Sequence, residues 1–91
     1  MVTLLCAERM MPTVYKLNSI KIDIYSRDHP PPHFHALYAE YEALIEIQSG
    51  NIYAGYLPMK QLKIITEWLK QANNRWVLLE IFNKLNPYIF L

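Results

Sequence analysis

Apolar and polar residues alternate through the first half of the chain, and apolar residues recur every three or four positions in the last third. Over residues 20–25, Ile20, Ile22 and Ile24 line one face and Lys21 and Asp23 the other, the period of a half-buried strand. Similar alternation runs through 33–38 and 41–47, and the segments 14–17 and 51–56 complete five predicted strands. Asn18-Ser19 suits a tight turn because Asn tolerates positive φ, and Ser49-Gly50 marks another. Residues 26–32 cannot be central strand, since their prolines donate nothing to a ladder. Pro58 is placed for the first turn of a helix. Beyond it Leu62, Ile65, Leu69 and Ala72 keep helical spacing, with Lys60, Lys63 and Lys70 elsewhere on the surface. Asn73-Asn74 interrupts, and a second helix over 75–85 buries Leu78, Leu79, Phe82 and Leu85 before Asn86-Pro87 stops it. The pattern predicts an α+β domain: a five-stranded antiparallel meander with two C-terminal helices on one face.

Hairpin registers carry the prediction further. A two-residue turn at Ala39-Glu40 sets Tyr38 opposite Tyr41, Ala36 opposite Ala43 and Phe34 opposite Ile45 on an apolar face. The other face then holds His33 opposite Glu46 and His35 opposite Leu44. A turn at Ser49-Gly50 sets Ile47 opposite Ile52, Ile45 opposite Ala54 and Glu46 opposite Tyr53. Together they predict a row of His33, Glu46 and Tyr53 across three strands, with His35 beside it. Ala39 is an awkward residue for that turn, where Gly, Asn or Asp is preferred.

Composition sets outer bounds. Ninety-one residues make one domain with a modest core, and 53% hydrophobic against 19% charged residues argues against disorder. So apolar a short chain, ending in Tyr88-Ile89-Phe90-Leu91, is expected to bury surface in a second copy or a partner protein. A formal charge of +1 gives no broad field for nucleic acid. Cys6 is alone, which rules out an intrachain disulfide or a cysteine zinc cluster and suits a reduced, cytoplasmic setting. No apolar run approaches the roughly 20 residues that span a bilayer, and residues 2–7 make a poor signal peptide. Residues 1–10 fit nothing that follows and read as an extension or a start-site error, with the domain over 11–91.

Candidate chemistry is concentrated in Asp28-His29-Pro30-Pro31-Pro32-His33-Phe34-His35, which holds all three histidines and half of the six prolines. His33 and His35, two apart, share one face of a strand. Three readings compete. The imidazoles bind a divalent transition metal, with His29, His33 and His35 as the histidine ligands and Asp28 or Glu46 as other sources of a third. Alternatively His33, His35 and Glu46 perform metal-free acid–base work, with Arg27, Asp28, His29 and Tyr53 binding a ligand and Arg27 and Lys21 holding a phosphate. On the third reading the histidines only hold the proline loop. No serine or cysteine nucleophile motif and no Gly-rich phosphate loop is present, with two glycines in all. Trp68 and Trp76 read as helix packing.

From Met11 onward the chain resembles the small bacterial proteins grouped as domain-of-unknown-function family 4160. The resemblance rests on Met11-Pro12-Thr13-Val14-Tyr15, Ile22-Asp23-Ile24-Tyr25-Ser26, Asp28-His29 and Pro31-Pro32-His33-Phe34-His35. Glu40-Tyr41-Glu42-Ala43, Gly55-Tyr56-Leu57-Pro58 and Glu67-Trp68 extend it to about 80 residues. Departures are the absence of glycine around Asn18, Ser19 and Ala39, and Phe82 where the family often has tryptophan. The resemblance implies membership of a two-gene cassette of toxin–antitoxin type, with the neighbouring gene's product as partner. The alternative is a non-enzymatic interaction module whose histidine run is structural.

Overall fold

The computed structural model describes residues 13–87. Five strands come first: β1 (Thr13–Leu17), β2 (Ile20–Asp23), β3 (His33–Tyr38), β4 (Tyr41–Glu46) and β5 (Ile52–Gly55). Helices α1 (Met59–Leu69) and α2 (Asn74–Leu85) follow. Each strand pairs antiparallel with the next, in the order β1-β2-β3-β4-β5, which is the expected α+β meander. The expectations for residues 1–10, Met11 and the apolar end 88–91 lie outside the described residues.

The alternating residues form the core. Ile20, Ile22, Ile24, Phe34, Ala36, Ala43, Ile45 and Ile47 are buried together with Ile65, Trp68, Leu69, Leu78 and Phe82 from the helices. The lysines of α1 stay exposed. Tyr15 of β1 stacks on Trp68, ring centroids 4.9 Å apart, tying an edge strand to α1. No helix of the described residues is long and apolar enough to cross a membrane.

The β3–β4 register matches the prediction at every pair, from His33 opposite Glu46 to Tyr38 opposite Tyr41. Ala39 does occupy the left-handed region, at φ 52°, as does Asn18 in the β1–β2 turn, at 58°. The β4–β5 register differs. Ile45 opposes Ile52, Leu44 opposes Ala54 and Ala43 opposes Gly55, so Tyr53 is the extra residue of a bulge and does not oppose Glu46. The cause is a longer connection over 47–51. Gly50 N–H donates to the Glu46 carbonyl (2.8 Å) and Glu46 N–H to the Asn51 carbonyl (2.9 Å), closing a wider turn than Ser49-Gly50 alone. Gly55 takes φ 83°, and a Cβ there would lie 2.2 Å from the Glu42 carbonyl oxygen.

The helices also depart in detail. Ala72 is not on a buried stripe: it is exposed in the link between α1 and α2 with φ 46°. Trp76 is 62% exposed and contributes no core packing, while Leu85 turns outward at the end of α2. Trp76 lies off the Leu78–Phe82 face that meets the sheet, whereas Leu85 shares that face and is exposed as the last residue of the helix.

Candidate functional site

The proline run brings Asp28 back over the start of β3. Residues 24–32 leave the sheet after β2, with the Pro30–Pro31 bond cis, and re-enter it at His33. Asn86, buried just past α2, holds this loop down. Its Oδ1 accepts from Asp28 N–H (2.7 Å), and its Nδ2 donates to the carbonyls of Tyr25 (3.1 Å) and Phe82 (3.0 Å).

Asp28 thereby meets both strand histidines. Its Oδ2 lies 2.9 Å from His33 Nε2 and 3.3 Å from His35 Nε2. The candidate ligand atoms of Asp28, His33 and His35 all lie within 4.8 Å of one another. His33 is fully buried, between the edge of Tyr53 (centroids 5.3 Å apart) and Phe82 (5.6 Å). Asp28 and His35 are partly open to solvent. They border an open cleft of about 300 Å³ that is also lined by Tyr25, Ser26 and Arg27.

The outer nitrogen of each ring is tied down. His33 Nδ1 is 2.8 Å from the Pro31 carbonyl, which only accepts, so that nitrogen carries the proton and donates. His35 Nδ1 is 2.9 Å from Glu42 Oε2 and its Nε2 3.3 Å from Asp28 Oδ2, so this ring is held between two carboxylates. In neutral His33, with its proton on Nδ1, the Nε2 lone pair is directed toward the Asp28 carboxylate. His33 Nε2 has no aligned hydrogen bond despite its 2.9 Å contact and is buried. A buried polar nitrogen left in that state is costly unless a proton or a cation sits between it and the carboxylate.

Electrostatics agree with a tightly held carboxylate. Burial alone would raise the Asp28 carboxyl, but the hydrogen bond from His35, the charge of His33 and the contact with His29 outweigh it and hold the group below its ordinary value. Burial raises the hydroxyls of Tyr25 and Tyr53, and nearby carboxylates raise them further: Asp23, Glu42 and Asp28 around Tyr25, Asp28 and Glu46 around Tyr53.

The predicted residues divide as follows. Asp28, His33 and His35 converge, and Arg27 and Tyr53 lie at the margins of the same site. His29 stands apart with its side chain 80% exposed, although its Nδ1 lies 3.2 Å from Asp28 Oδ1. Glu46 opposes His33 along the strands but does not pair with it. Its Oε1 accepts from the Ser49 hydroxyl (2.7 Å), because the wide turn after β4 folds Ser49 back over it. The expected Glu46–imidazole pair is therefore replaced by Asp28 against both rings and Glu42 against His35. Lys21 is exposed on β2 and does not line the cleft.

The strand pairing favours Glu46 over Glu42 as the partner of the imidazoles, and Asn86 reads only as the end of the second helix, yet the structure brings Glu42 and Asn86 to the site. Glu42 had a signal, since it lies diagonally from His35 on the face shared by the two hairpin strands. Asn86 is 58 positions from Asp28, and nothing local announces that contact.

No curated protein and no solved structure matches the chain significantly. The family model described as "Domain of unknown function (DUF4160)" matches residues 19–80, a span that contains the proline–histidine run, strands β2 to β5 and helix α1. Covering more than half of the chain, that match shows that this protein belongs to the DUF4160 family.

Proposed function

We propose that the protein binds one divalent transition metal through Asp28, His33 and His35, and that this site is its functional centre. The observation that carries the reading is the orphaned Nε2 of fully buried His33, 2.9 Å from Asp28 and without an aligned hydrogen bond. Metal–ligand bonds of about 2.0–2.2 Å place neighbouring ligand atoms about 2.9 Å apart at right angles and about 3.3 Å apart in a tetrahedron. The two Asp28–imidazole distances, 2.9 and 3.3 Å, have that spacing. Both rings also carry the outer support that ligating histidines use, a backbone carbonyl for His33 and a carboxylate for His35. Two histidines and one carboxylate suit zinc, nickel, cobalt or iron(II), and three protein ligands leave positions open for water or substrate.

Calorimetric titration of the metal-free full chain with zinc and cobalt tests this. One equivalent should bind. Asp28→Asn and His35→Gln should each weaken binding at least about tenfold while the far-UV spectrum stays that of the folded protein. Absence of binding at micromolar metal would refute the site. The histidine run would then be a structural clamp in an interaction module, a reading favoured by the way Asn86 and the Pro31 carbonyl already fix this loop.

The wider expectation is that the protein is one member of a toxin–antitoxin-like pair acting in the cytoplasm, with a second copy or the neighbouring gene's product as partner. Exposed Tyr56, Met59, Trp76 and Val77 supply apolar surface for such a contact. Growth arrest on expression of the chain, abolished in Asp28→Asn, would join the pair to the metal site. Arrest that persists in that variant would separate them.

A further inference from the structure

The geometry points to a phosphate monoester as the ligand of the open metal positions, with Arg27 as the residue that selects it. This inference rests on the metal site proposed above. The cleft of about 300 Å³ is lined by Tyr25, Ser26, Arg27, Asp28 and His35, so an arginine and two hydroxyl-bearing residues border it together with two of the three proposed metal ligands. A phosphate has three non-bridging oxygens. One can complete the coordination of a cation between Asp28 and His35, leaving two for the planar fork of Arg27 and for hydroxyl donors. A carboxylate has too few oxygens to meet all of these groups at once.

The charges around the cleft make this binding conditional. Asp28 and Glu42 adjoin His35, and Asp23 belongs to the same group of carboxylates around Tyr25. Against them the cleft wall offers one guanidinium, with no carboxylate within 4 Å of it among the described residues. Without metal, the three carboxylates around Tyr25 outnumber the one guanidinium and repel an anion. A dication beside Asp28 cancels most of that charge and supplies the first phosphate contact. Phosphate recognition is thus metal-dependent by construction. Arg27 itself is held at φ 59°, where a non-glycine residue is strained, in the wall of this cleft.

The test uses the full chain loaded with cobalt(II), read by its visible d–d spectrum and titrated with phenyl phosphate. The spectrum should change on titration, and metal-free protein should show no phenyl phosphate binding by calorimetry. Arg27→Ala should weaken phenyl phosphate binding about tenfold or more, the equivalent of one charge-assisted contact, while cobalt affinity stays within about twofold. Arg27→Gly provides a variant whose backbone is fully at ease at this φ, so a folding defect cannot imitate the result. If cobalt binds but phenyl phosphate leaves the spectrum unchanged, or binds both Arg27 variants as well as the parent, the inference is overturned and the metal site stands. If acetate binds as tightly as phenyl phosphate, selection of phosphate is overturned. If cobalt itself fails to bind, the metal-site reading falls first and takes this inference with it.

Discussion

Glu42 and Glu46 stand four apart on β4 and on the same face, each diagonal to His35, yet only Glu42 reaches an imidazole. Glu46 is occupied by the Ser49 hydroxyl. Glu42→Gln weakens the acceptor that orients His35 and should lower metal affinity about tenfold or more. Glu46→Gln should leave it within about twofold. Calorimetric titration of the two variants decides the matter, and equal effects would show that Glu42 does not orient the ring. At this scale the sequence could place His33 and His35 on one face, because strand alternation is a rule of backbone geometry. It could not choose between two glutamates, because that choice depends on a side-chain rotamer and on a competing hydroxyl three residues further along. Asp28 stood in view within the histidine run; its role depended on where a proline loop lands, which no periodicity encodes.

Among the elements, the hairpin of β3 and β4 was readable pair by pair, since alternation and a two-residue connection leave little freedom. The next hairpin was not. Ser49-Gly50 looked like a complete turn, but the chain uses residues 47–51 and absorbs the difference in the bulge at Tyr53. That slip still brings the Tyr53 ring against His33. The helix boundaries were legible to within a few residues from Pro58 and the paired asparagines, whereas Trp76 was misjudged because an aromatic residue on a helix says little about which face it occupies. Gly55 carries the strongest constraint on β5. A methyl group there would meet the Glu42 carbonyl at 2.2 Å, and the backbone would remain in the left-handed region. Gly55→Ala should therefore cost about 2–4 kcal/mol in urea unfolding. Because the displaced atom belongs to Glu42, the same variant should loosen His35 and weaken metal binding at the proposed site. A stability loss below about 0.5 kcal/mol would mean that β5 shifts freely and does not brace β4.

For the whole molecule, Asp28 links acidity to folding. Its carboxyl lies below its ordinary value of 3.8 when folded, so the unfolded chain takes up that proton more readily. The stability this group contributes is fully present above about pH 3.8 and is lost as pH falls through the lower folded value. Metal-free protein should accordingly lose unfolding free energy as pH falls below about 3.8, and Asp28→Asn should flatten that part of the curve. Urea midpoints across this range test it; identical slopes for the two proteins would show that the imidazoles do not hold the carboxylate.

Asn86 has a consequence that concerns time. Its side chain fixes the Asp28 loop from 58 residues further along the chain. During synthesis, both strand histidines leave the ribosome long before the residue that positions their carboxylate partner. A nascent or C-terminally clipped chain thus carries the imidazoles without the assembled site, and competence arrives only when the end of α2 docks. Occupancy of the proposed centre would report that the chain has been made through α2 and folded, and fragments cut short of Asn86 would not compete for its ligand.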